Sequence, residues 1–168
     1  MAAGSTYTPL ATTTISGTPA SYTFSSISGS YTDLVLIGWV APTLGTGTSL
    51  MGLQVNGATS GFSTTGAIGT GSAAQSSRNT SSSVMTAAGL NNGSGTGNIN
   101  FIANFMNYSN TSTYKSILVR GNNADAQTEA TVSLWQSTAA ITSILIKNTG
   151  GVNLTNGSTF TLYGIAAA

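Results

Sequence analysis

The chain has 168 residues and a formal net charge of +1, with only seven charged side chains: Asp33, Arg78, Lys115, Arg120, Asp125, Glu129 and Lys147. Charged residues make up 4% of it, against about 25% in an ordinary globular domain; so sparse a set sums to no field that attracts phosphate or anionic lipid, which excludes nucleic-acid partners and electrostatic membrane docking from the expectations. His and Cys are absent, which removes disulfides, thiolate nucleophiles, imidazole bases and nearly every zinc, copper or haem site.

In chain order, residues 1–9, from Met1 through Tyr7 to Pro9, are small or uncharged and read as an N-terminal arm able to reach a neighbour; the first strand pattern already begins at 7–15. Residues 21–27 follow as a second strand, then the turn Ser28-Gly29-Ser30. Residues 34–40 are apolar at every position but Gly38, which predicts a central strand covered on both faces, with Gly38 marking a bulge or a close backbone approach. A strand over 50–55 ends at Asn56-Gly57, a hairpin signal that returns the chain through Phe62. Residues 63–98, rich in Gly, Ser and Asn, read as a long loop region holding one short strand at 84–88. Ile99, Phe101, Ala103 and Phe105 then alternate along one face, and further strands are expected over 114–120, 130–136, 141–147 and 159–165, with one possible helical turn at 125–130. Short strands at this spacing predict an all-β sandwich or barrel in one domain spanning 10–168.

Ser, Thr, Gly and Asn account for 87 residues, so the surface is polar without charge, while 40% hydrophobic residues suffice for a core. A net charge near zero favours association with copies of the chain or with a scaffold. No basic, apolar leader is visible, and the longest apolar run, 34–41, ends at Pro42, short of the ~20 residues that span a bilayer; a soluble protein is expected.

Catalysis finds little purchase. Lys115 and Ser116 are adjacent on a predicted strand and point to opposite faces, so Lys115 reads as a surface lysine rather than a base. Asp125 and Glu129 have the makings of a carboxylate pair, but their segment, Gly121-Asn-Asn-Ala-Asp125, is turn chemistry. Gly69-Thr-Gly71-Ser-Ala-Ala74 lacks the βαβ unit that a phosphate loop needs, and no Thr-x-Thr repeat recurs at a fixed period as an ice-binding solenoid requires. Three scattered carboxylates do not make a calcium site. No enzyme activity, cofactor or metal is expected. Trp39 and Trp135 sit in apolar strands and read as core; Tyr31, Phe62, Tyr108 and Tyr114 lie near turns, where packing competes with an exposed ring that fills a partner's pocket.

Three segments carry a resemblance: Phe24-Ser-Ser-Ile-Ser-Gly-Ser-Tyr31-Thr-Asp33-Leu-Val-Leu36, Leu134-Trp135-Gln-Ser-Thr-Ala-Ala-Ile141-Thr-Ser-Ile144, and the closing Gly157-Ser-Thr-Phe160-Thr-Leu162-Tyr163-Gly164-Ile165. Together with Leu53-Gln-Val-Asn56-Gly57 and the stretch 104–108, they make the chain from about residue 20 resemble a family of small virion structural proteins of tailed bacteriophages. The resemblance implies a single-domain antiparallel β-sandwich, jelly-roll-like, of about 8–10 strands, with no catalytic motif to carry over. Asp33, the one charge inside these motifs, reads as a cap at the start of its strand. Family members carry more Arg and Lys in the middle strands than this chain.

The expected function is therefore that of a virion surface protein, a capsid decoration (cement) protein that binds the major capsid protein in many copies, assembled in the host cytoplasm and self-associated as a homotrimer. The alternative is a tail-fibre or receptor-binding module that holds a glycan on the 63–98 loops. Met1, Tyr7, Pro9, Phe62 and Arg78 are the candidate interface residues. Arg78 is singled out because it is the only charge between residues 34 and 114.

Overall fold

The computed structural model describes residues 6–41, 50–88, 97–124, 127–149 and 151–166. Twelve strands follow one another: β1 (Tyr7–Thr14), β2 (Ser21–Phe24), β3 (Asp33–Val40), β4 (Met51–Val55), β5 (Phe62–Gly69), β6 (Ala74–Ser82), β7 (Met85–Ala88), β8 (Ile99–Met106), β9 (Lys115–Asn123), β10 (Gln127–Trp135), β11 (Ile144–Asn148) and β12 (Thr159–Ile165). They form an eight-stranded sheet in the order β1-β12-β3-β8-β9-β10-β5-β6 and a four-stranded sheet in the order β2-β11-β4-β7, antiparallel throughout. The chain crosses repeatedly between the sheets, and inward side chains of both join in one apolar cluster. The fold is an all-β, jelly-roll-like antiparallel sandwich.

The alternating pattern of β8 explains its place. Ile99, Phe101, Ala103 and Phe105 all point inward and are buried, as period-two side chains on a half-covered sheet must. Their neighbours Leu34, Leu36 and Val40 on β3 and Phe160 and Leu162 on β12 complete the same layer. Gly38 is a close approach: a Cβ there would lie 2.2 Å from Phe101 Cε1, so the Phe101 ring occupies the space that a side chain would take. Gly164 serves Tyr31 in the same way, with its missing Cβ 2.5 Å from Tyr31 Cγ.

Several expectations change. Residues 63–88 are not a long loop: β7 falls on the short strand expected at 84–88, but most of β5 and all of β6 lie there as well, and these two account for a count of twelve rather than 8–10. The N-terminal arm is shortened, because Tyr7 and Pro9 belong to β1, paired with β12; Met1 lies outside the described residues. Asn56 and Gly57 form the expected turn, both at positive φ (52 and 67), but no hairpin follows, because β4 belongs to the small sheet and β5 to the large one. Asn56 instead ties that turn to the segment before β11, its Nδ2 donating to Ala140 O at 2.7 Å and its Oδ1 accepting from Thr142 N at 2.8 Å. The helical turn is replaced by strand at its described end, since Glu129 and Ala130 are in β10; Asp125 lies outside the described residues.

Candidate functional site

β3 was expected to be covered on both faces, and Trp39 to be core. The small sheet covers only the inward face, so Ile37 and Trp39 on the other side are 44% and 36% exposed. The pairing registers place Ile37, Trp39, Met106, Val132 and Tyr7 on this outer face of the large sheet, and they are five of the six large hydrophobics exposed among the described residues. Ile102 and Leu118, half-buried, lie among them. The charges sharing this face among the described residues are Asp33, Arg78 and Arg120.

Of the sequence-selected interface residues, Tyr7 and Pro9 are exposed on β1, where Tyr7 meets Tyr163 edge to face at 6.2 Å. Arg78 is exposed on β6, at the opposite edge of the sheet. They are not a cluster, yet Pro9 and Arg78 are the two ends of one transverse row that runs through Tyr163, Val35, Leu118 and Val132. Phe62 is no interface residue: it is 1% exposed and stacks with Trp135 in the core at 6.4 Å. Tyr108 is likewise buried, its hydroxyl donating to Ser28 O, and burial raises its pKa above the ordinary tyrosine value. Asp33 does begin β3, but its carboxylate caps the turn after β8, accepting from Asn107 N at 2.5 Å where Asn107 has φ 51.

Lys115 was expected at the surface and is instead 1% exposed. Its Nζ donates to Thr113 O at 2.7 Å and Thr138 O at 3.2 Å, and burial pulls its pKa below the ordinary lysine value. The adjacent-residue argument holds, since Ser116 faces the other way, but the amine is a strut between two backbone segments rather than a solvated charge.

A second feature lies where the two sheets diverge. The inward face of β10 reads Gln127, Glu129, Thr131 and Ser133, all buried, before it reaches Trp135. Thr64 on β5 continues this polar strip, its hydroxyl 2.8 Å from Ser133 Oγ, and Thr131 Oγ1 donates to Thr86 O on β7 at 3.1 Å. Above the strip is a cavity of about 290 Å³ walled by β5, β6, β7 and β10, with Glu129, Gln127, Ser77, Asn79 and Thr86 among its polar groups. Leu50, Asn79 and Thr86 also line a second cavity of about 580 Å³ that extends to Lys147 and Asn153, so the two adjoin along these residues as neighbouring parts of one grooved surface. Gln127 Nε2 donates to Glu129 Oε2 at 3.4 Å within it. Sequence reasoning passed over this groove because its walls are the Ser- and Asn-rich strands taken for loop. The one available signal was the alternation of Gln127, Glu129, Thr131 and Ser133 ahead of an apolar Trp135.

Among the described residues there is no group of three His, Cys, Asp or Glu able to hold a metal ion, and no helix long and apolar enough to cross a membrane. No family model matches the chain, and no curated protein matches it. Among solved structures, it is similar to the galectin LEC-6 of Caenorhabditis elegans, at 13% identity over 89% of this chain and 94% of that one, with a TM-score of 0.37. It is also similar to a protein of unknown function, SO2946 of Shewanella oneidensis MR-1, at 11% identity over 96% and 77% of the two chains, with a TM-score of 0.26.

Proposed function

We propose that this chain is a virion surface protein, a capsid decoration subunit that seats the outer face of its eight-stranded sheet on the assembled shell. The observation that carries the reading is the concentration of exposed large hydrophobics on that one face. Eight strands at ~4.8 Å spacing and four side-chain rows at ~6.8 Å give it roughly 1,000 Å², enough for the about 800 Å² per partner of a standard interface. Scattered exposed hydrophobics need no explanation, whereas a contiguous patch of several hundred Å² marks a contact surface. The resemblance of Phe24–Leu36 and Gly157–Ile165 to phage structural proteins supplies the partner, the major capsid protein. Three charges on such a face make the contact one of shape, hydrogen bonds and apolar burial, so attachment tolerates salt. Threefold self-association belongs to the same proposal.

Densitometry of purified particles against the major capsid protein tests it. Hundreds of copies per particle are expected, and a count near a dozen would move the chain to a tail or fibre. Ile37→Ser with Trp39→Ser is expected to fold normally yet fail to coat particles that lack the protein. Release of the native protein by about 1 M NaCl alone would contradict an apolar contact.

A further inference from the structure

The groove between β6 and β7 has a chemistry unlike the rest of the interior, and we infer that it binds a neutral saccharide chain. This goes beyond the proposed function and holds whether or not the outer face seats on a shell.

Burying a carboxylate and a carboxamide on an inward sheet face costs stability that apolar side chains would not. Gln127 and Glu129 nonetheless occupy inward positions in register with Asn123 and Gly121 on one side and, for Glu129, with Ile68 on the other. Their positions open into the cavity of about 290 Å³, which adjoins the one of about 580 Å³. Together they fall in the ~300–1,000 Å³ range of ligand sites, with room for more than a single small group.

The walls match a polyhydroxylated ligand. Each sugar hydroxyl both donates and accepts, as do the carboxamides and hydroxyls that line the groove. The Asn79 carboxamide and Ser77 hydroxyl have no hydrogen-bond partner among the described residues, and both lie on β6 in register with the inward face of β5. Leu50 and Ile68 provide the apolar contacts on which the C–H faces of a sugar ring rest. The charges argue for neutrality: Glu129, at 6% exposure, disfavours an anion beside it, while Lys147 at the other border disfavours a cation. The floor is held in advance. Gln54 Nε2 donates to Ser83 O at 2.7 Å and Asn148 Nδ2 to Asn153 O at 3.0 Å, so little ordering remains to be done on binding. A peptide added as a strand along β6 would instead need successive apolar pockets for alternate side chains, and hydroxyls and amides dominate these walls.

The test uses the intact protein with lactose, maltotriose and chitotriose as probes, read by saturation-transfer NMR and calorimetric titration. At least one is expected to bind in the micromolar to millimolar range, with amide shifts at Asn79 and Thr86 and little change between low salt and about 0.5 M NaCl. Asn79→Ala, an exposed edge-strand change, is expected to keep the circular dichroism spectrum and weaken binding about tenfold, and Glu129→Gln to weaken it as well. The inference is overturned if none of the three transfers saturation at millimolar concentration, if both variants bind as the parent does, or if only sulfated sugars or extended peptides bind. Loss of sugar binding with full particle occupancy would sink this inference alone; normal sugar binding at a dozen copies per particle would sink the proposed function alone.

Discussion

Two stretches of one inward face carry opposite chemistry. Across β12, β3, β8 and β9 the inward side chains include Phe160, Leu162, Leu34, Leu36, Phe101, Phe105, Ile117 and Val119, all buried, with Lys115 and Asn123 the buried polar exceptions at the two ends of β9. Across β10 and β5, in unbroken register with them, stand Glu129, Thr131, Ser133 and Thr64. The ladder is indifferent to this change, because backbone hydrogen bonds set strand pairing and the side chains decide only what the face can be packed against. A four-stranded sheet cannot cover an eight-stranded one. β7, the outer strand of the small sheet, packs over β8, β9, β10 and β5, and the inward face turns polar beneath this last strand of the cover. The difference teaches that polarity on an inward face marks the limit of the lid.

The sharpest way to break the comparison is to truncate one side chain from the apolar stretch. Phe105→Ala removes a fully buried ring and is expected to cost about 3–5 kcal/mol, measured by urea unfolding. A loss below about 1 kcal/mol would mean that the apolar stretch is no more a core than the polar one. The polar stretch should answer differently. Thr64→Val alone strands the Ser133 hydroxyl and is expected to cost about 1–3 kcal/mol, whereas Thr64→Val with Ser133→Ala removes both partners and should come back close to the parent. Additive losses in the double variant would show that the pair is not the isolated unit the 2.8 Å contact suggests.

The smallest effect is one of pH. Burial lowers the folded pKa of Lys115 from its ordinary 10.5, so just below that value the unfolded chain binds the extra proton and stability rises with pH. Burial raises the folded pKa of Tyr108 from its ordinary 10.0, so above that value the folded chain keeps the proton and stability falls. Urea unfolding from about pH 8 to 11 should therefore show a shallow rise that turns over. Lys115→Met should remove the rise and leave the fall, and a rise that survives in the variant would place its source elsewhere.

The legible strands were those whose inward positions are apolar. β8 announced itself through Ile99, Phe101, Ala103 and Phe105, and β12 through Phe160 and Leu162, because period-two hydrophobicity is the signal that a covered face leaves in a sequence. β5 and β6 have the same period but put Thr64, Gly66, Ser77 and Asn79 inward, so the alternation exists in space and not in hydropathy. The groove was hidden for the same reason. Trp39 failed in the opposite sense: apolar residues on both faces of a strand fit double coverage or an uncovered contact face equally well, and only the width of the small sheet decides. Lys115 was misplaced because nothing local signals that Thr113 and Thr138 will offer it carbonyls from two segments.

Among the described residues the large sheet ends at β1 and at β6, and an open edge invites another chain to add itself as a further strand. Most proteins deter this with rows of charge, which this chain lacks. At one end Pro9 interrupts the donors of β1, and an irregularity between Pro9 and Ala11 shifts its register; at the other, Arg78 is the only charge in β6. Each border is thus guarded by a single residue. Pro9→Thr with Arg78→Thr is expected to let copies add at these borders, read as higher-order species in sedimentation velocity, and a double variant that stays a discrete subunit would show that the edges are closed by other means.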